Sequence, residues 1–219
     1  MINDLKLGLK LMKHGLQFKA GMIATVVFCM IGLAMELVEG LATLVGGIYT
    51  LMGSIMVYQL IQSLTCAGLV QSSPHKKRLQ TSVSAICAFI CTVILNTISI
   101  CAKLIMARYT HTAIEDIAID IFIDGVLMIV VLVYMAAAMK AFWLSMIPFM
   151  LVCGIGGFGI GIGLGSEWFA SLNISIGTAI VLSYCAIAVG SYLMYLVSLM
   201  LYKKEFSKIT FESSLKRAK

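Results

Sequence analysis

The sequence predicts an all-α membrane protein with six transmembrane helices, an N-terminal amphipathic helix in the interface and both termini in the cytoplasm. Three observations carry that expectation. The 219-residue chain is 61% hydrophobic and only 12% charged, where a soluble domain is roughly 45–50% apolar and about 25% charged. Its apolar residues gather into runs of the length that crosses a bilayer, about 20 residues each. Its basic residues collect on one side of those runs. One membrane domain accounts for the length, with no room for a soluble catalytic domain.

Residues 1–19 come first. Ile2, Leu5, Leu9, Met12 and Leu16 repeat at spacings of three and four, and Lys6, Lys10, Lys13 and Gln17 occupy another face. That pattern is an amphipathic helix lying in the inner interface. The alternative is a short leader that opens the first span. The segment is basic and broken by charges, so a cleavable signal peptide is not expected.

A six-helix domain over 20–202 follows, with spans at 20–38, 41–70, 82–107, 117–139, 141–164 and 174–202. The second and sixth are long, so they tilt or project into the cytoplasm. The cytoplasmic side then holds the N-terminus, the 71–81 connection, the junction at Lys140 and a basic tail over 203–219. Fourteen of the sixteen lysines and arginines fall there; the other two are Lys103 and Arg108. The positive-inside rule makes that side cytoplasmic. Glu36, Glu39, Glu115, Asp116, Asp120, Asp124 and Glu167 fall at the outer side. An odd number of spans would break this division.

Catalytic motifs are absent. No GxxxxGK[ST], GxSxG or HExxH occurs, so the chain binds no ATP in the usual way and is not expected to be an enzyme. The seven cysteines lie in apolar runs without metal-ligand spacing, so neither a disulfide nor a metal site is expected. Glycines at 154, 156, 157, 159, 161, 163 and 165 crowd the fifth span. Their GxxxG pairs read as close helix packing, with a moving gate as the sharper alternative.

Two polar constellations remain. Asp116, Asp120 and Asp124 are spaced by four on the outer end of the fourth span, and Lys103 and Arg108 end its antiparallel neighbour. With Glu36 and Glu39 they form a candidate outer polar rim. One reading is mutual neutralisation, Lys103 with Asp120 or Asp124 and Arg108 with Asp116. The other is a vestibule that meets substrate. The second constellation is Ser72, Ser73, Pro74, His75, Lys76, Lys77, Arg78, Leu79, Gln80 and Thr81. Pro74 opens a short helix capped by Ser72 or Ser73, with a basic cluster that touches headgroups and Leu79 as an apolar anchor. The sharper reading is a docking helix for a cytoplasmic partner.

This arrangement resembles the permeases of ABC-2-type ABC transporters, and the flavour of 72–81 resembles small Gram-positive exporters of phenol-soluble modulin peptides. The resemblance makes 2–19 the elbow helix and 72–81 the coupling helix that docks on an ATPase subunit. It implies cytoplasmic ABC ATPase subunits that bring ATP and Mg, a second permease copy or paralogue, a bacterial cell membrane as the location, and export of peptides or other amphipathic molecules. This chain itself binds no cofactor, and no nucleic acid partner is expected. Larger family members carry outer re-entrant helices between spans five and six, where this sequence has only residues 165–173. The competing expectations are a secondary transporter or the substrate-capture subunit of a vitamin importer, and a non-transporting membrane protein.

Overall fold

The computed structural model describes residues 18–39, 72–110, 114–138, 140–141, 144–151 and 174–205, with Lys6, Leu9, Lys10 and Lys13 of the N-terminal segment. The expected span at 41–70, the greater part of that at 141–164, the remaining elbow-helix positions Ile2, Leu5, Met12 and Leu16, and the tail beyond 205 lie outside the described residues. Among the described residues there is no strand. The elements are α1 (Phe18–Glu39), α2 (Lys76–Arg78), a π-helical turn (Leu79–Val83), α3 (Ser84–Thr110), α4 (Ile114–Ala138) and α5 (Ile176–Met200). Lys6, Leu9, Lys10 and Lys13 are helical and exposed.

Three of these helical stretches, Lys76–Tyr109, Ile117–Ala138 and Ile176–Met200, are long and apolar enough to cross a membrane. The shorter apolar stretch Lys19–Met35 lies within α1. The pattern of exposure fits lipid as the solvent. Ile94, Ile98 and Ile105 on α3, and Val181 and Val189 on α5, are exposed, while Thr92, Asn96, Ser99, Lys103, Asp120, Asp124 and Ser183 are buried. In water that distribution would waste the hydrophobic effect. In hydrocarbon it is the favourable one, because polar groups must find partners inside the bundle.

One boundary needs correction. The sequence places a loop at 71–81 and begins the span at 82. The structure instead runs α2, the π turn and α3 as one continuous helix from Lys76. Leu79 is 1% exposed, and Gln80, Thr81 and Val83 are also buried. Leu79 and Val83 belong to a core cluster with Met128, Leu132, Met135, Ile187 and Met194. Burial of that apolar surface holds the turn against α4 and α5. The wide turn also has a local cause, since hydroxyls bond back to carbonyls of the preceding turn and loosen the helical ladder. Thr81 donates to the Lys77 carbonyl at 2.7 Å, and Ser84 donates to the Gln80 and Thr81 carbonyls at 2.9 Å.

α3 runs antiparallel to α5: Asn96 meets Ser183, whereas Ala85 and Phe89, earlier in α3, line one groove with Ala188, Tyr192 and Tyr195, later in α5. α4 runs parallel to α5, because Gly125 lies on Ser183 while Gly190 lies on Ile129 and Leu132. These two glycines let the helices close up. A Cβ at Gly125 would sit 2.6 Å from Ser183 Cα, inside any permitted contact. Beyond α4, a second helical stretch at 144–151 folds back, and Phe149 stacks on Tyr134 with ring centroids 4.2 Å apart. Ser175 starts α5 as its N-cap, its hydroxyl accepting the Thr178 N–H at 3.3 Å.

Candidate functional site: a buried polar seam

Along α3 the residues Thr92, Asn96, Ser99 and Lys103 recur at spacings of four, three and four, which puts them on one face of a helix. All four are buried. Facing them are Asp120 and Asp124 on α4, four apart on one face, and Ser183 on α5. Gly125 permits this convergence by bringing Ser183 hard against α4.

At one end Lys103, 1% exposed, donates to Asp120 Oδ2 at 2.5 Å and to Asp124 Oδ2 at 2.6 Å. A lysine so deep in apolar surroundings requires such partners, since an unpaired charge there costs several kcal/mol. Further in, Asn96 donates to Ser183 Oγ at 3.1 Å. Two polar atoms between these contacts are buried without a hydrogen-bond partner, Asp124 Oδ1 and Ser99 Oγ. The seam therefore has an ionic end, an amide–hydroxyl end and, between them along α3 and α4, two unsatisfied oxygens.

The structure thus joins three of the predicted rim residues into an interior triad, inside the helices and away from open water. Lys103 bridges both aspartates at once, where the sequence left either partner open. Arg108 is exposed near the end of α3. Glu36 and Glu39 belong to α1 and Asp116 to α4; their side chains lie outside the described residues, as does the glycine run from 154.

The constellation at 72–81 divides in two. Ser72, Pro74, His75, Lys77 and Arg78 are exposed, with Ser73 and Lys76 half-buried. Leu79, Gln80 and Thr81 are interior, so the apolar anchor expected for a partner is instead part of this chain's own core. The Ser73 hydroxyl accepts the His75 N–H at 3.2 Å, and the Ser73 carbonyl accepts the Lys76 N–H at 3.0 Å. A turn held by Ser73 therefore leads into the helix, which begins at Lys76, two residues later than a Pro74 start. Lys140 reaches across the same end and donates to the Lys204 carbonyl at 2.9 Å.

Sequence reasoning missed Asn96, Ser99 and Ser183. A signal existed for the first two: polar residues at helical spacing from Lys103 inside an apolar run. Among the described residues no group of His, Cys, Asp and Glu is arranged to hold a metal ion. No family model matches the chain, and neither a curated protein nor a solved structure matches it.

Proposed function

We propose that this chain is the transmembrane subunit of an ATP-driven exporter, crossing the cell membrane six times with both ends in the cytoplasm. Its cargo on this reading is a peptide or another amphipathic molecule. A separate ABC ATPase carries ATP and Mg and seats on the exposed surface of 72–78, and a second permease copy or a paralogue completes the path. The observation that carries the proposal is mechanical. The exposed basic residues Lys77 and Arg78 stand at the start of the same helix that bears Lys103. At 1.5 Å per residue the two ends lie roughly 40 Å apart. The root of that rod is packed through Leu79 and Val83 against α4 and α5. A push on 72–78 would therefore move the seam as well, which a floppy loop could not achieve.

The six-span count draws support from the helix directions. α4 and α5 are parallel, so the chain between them returns from one end of the bundle to the other, as an added span would.

The test is co-purification of this chain with a cytoplasmic ABC ATPase from its native membrane, together with transport assays. Lys77→Glu with Arg78→Glu reverses charge on exposed residues only, so the protein should fold, lose the ATPase and stop exporting. Capture and transport at the normal rate would overturn the docking surface. The second reading, a self-sufficient secondary transporter, is favoured by one observation, the charged seam buried between the helices. Substrate uptake by the chain alone in proteoliposomes, with no ATPase present, would select it.

A further inference from the structure

Near the start of α3 and the end of α5, a groove of about 440 Å³ opens between the two helices. Ala85, Ile86 and Phe89 form its α3 wall, and Ala188, Tyr192 and Tyr195 its α5 wall. Seven residues along each wall, from 82 to 89 and from 188 to 195, make it about 10 Å long. The two serines in the lining have already spent their protons. Ser82 donates to the Arg78 carbonyl at 3.2 Å and Ser191 to the Ile187 carbonyl at 2.8 Å. The guest that fits is therefore hydrocarbon. The groove also opens outward, since Tyr192 is 61% exposed and Phe89 36%. One end of it meets positive charge. Lys77 and Arg78 stand exposed before the α3 wall, and Lys203 and Lys204 stand exposed after the α5 wall. Lys140 joins the same end through the Lys204 carbonyl. Within 72–78, 140–141 and 201–205 the only acid is Glu205. Tyr192 and Tyr195 precede these lysines along α5, as amphipathic rings do at the level of lipid headgroups. An apolar slot below a cationic rim matches a molecule with a hydrocarbon chain and an anionic head.

We propose that the groove between α3 and α5 is a binding site for one anionic phospholipid. An acyl chain lies between the α3 and α5 walls, and the phosphate is held at the basic end, by Lys203 and Lys204 on one side and by the residues that open the long helix on the other. A zwitterionic lipid with the same chains fills the slot equally well but gains little from the excess of positive charge. Each lysine near an anionic head contributes about fivefold in binding. The inference rests on the membrane reading and not on the ATPase partner. It is tested on this chain alone, so its failure would leave the docking of 72–78 untouched.

The experiment combines native mass spectrometry with thermal unfolding of the full chain in an uncharged detergent. Phosphatidylglycerol or phosphatidylcholine with identical acyl chains is added. One phosphatidylglycerol should stay bound to each chain and raise the unfolding midpoint, because a ligand that binds only the folded state stabilises by mass action. Phosphatidylcholine should bind at least about fivefold more weakly. Glycerol phosphate, a head without a chain, should shift nothing. Ala188→Trp fills the groove from an exposed position, and Ile86→Trp fills it from the opposite wall. Each should abolish lipid retention, and the second serves if the first fails to fold. Lys203→Gln with Lys204→Gln leaves the groove open and should weaken phosphatidylglycerol roughly tenfold or more. Equal binding of the two lipids overturns the inference, as does a full response to glycerol phosphate or full retention of lipid in the tryptophan variants. A dimer that Ala188→Trp dissociates whatever lipid is present would give the groove to a second copy of the chain, and a cellular peptide retained in place of lipid would give it to cargo; either result also overturns it.

Discussion

At Lys103 the cost of burying an ammonium is offset by two carboxylates at 2.5 and 2.6 Å. Breaking a buried pair by removing one partner costs about 3–5 kcal/mol, because the other charge is left uncompensated. Lys103→Met leaves two such charges and should lower the unfolding midpoint accordingly. Adding Asp120→Asn and Asp124→Asn should return part of that loss, and a triple variant with no recovery would contradict the pairing. This pair was legible in the sequence because opposite charges at helical spacing inside apolar runs have few other ways to survive. The rest of the seam was not. Asn96, Ser99 and Ser183 are individually ordinary in a membrane span, and only the approach of three helices gives them a common role. Leu79 was misread for the opposite reason. It sits beside Lys76, Lys77 and Arg78, so the polar neighbourhood suggested a surface residue, while the fold makes it core. Leu79→Ala should cost about 2–5 kcal/mol, and Leu79→Asp should abolish folding by burying a charge. An exposed neighbour, Lys77→Ala, should stay within about 0.5 kcal/mol in the same melt.

Among the elements, α4 and α5 depend on glycines for their approach. Gly125→Ala drives a Cβ to within 2.6 Å of Ser183 Cα, a backbone atom that cannot step aside. Overpacking of that kind costs about 1–3 kcal/mol, and it should also disturb the Asn96–Ser183 contact. Gly177→Ala is the control. Nothing lies within 4 Å of a Cβ there, so removing the entropic penalty of a helical glycine should stabilise by about 0.5–1 kcal/mol. Thermal unfolding of the two variants checks the contrast, and equal effects would refute the close approach. Helix existence was legible because length and apolar content decide it. The start of the long helix at Lys76 was not, because the polar run through Gln80, Thr81 and Ser82 reads as a loop. The structure buries Gln80 and Thr81 and leaves Ser82 half-buried, all within the continuing helix.

Over the described residues as a set, apolar faces point outward and polar groups inward, which makes lipid the natural solvent of these helices. On the proposed six-span topology, fourteen of sixteen basic residues gather on one side, which the positive-inside rule makes cytoplasmic. Everything proposed about function rests on that arrangement: the basic segment at 72–78 must face the ATPase, and the seam must lie at membrane depth. The most direct test is labelling of single cysteines in a background without the native ones, using a reagent that cannot cross the membrane. Ser73→Cys and Lys208→Cys should react only once the cytoplasmic side is opened, and Thr112→Cys and Ser171→Cys should react in intact cells. Ser73→Cys and Thr112→Cys reacting from the same side would contradict the account, because α3 would then not cross the bilayer at all.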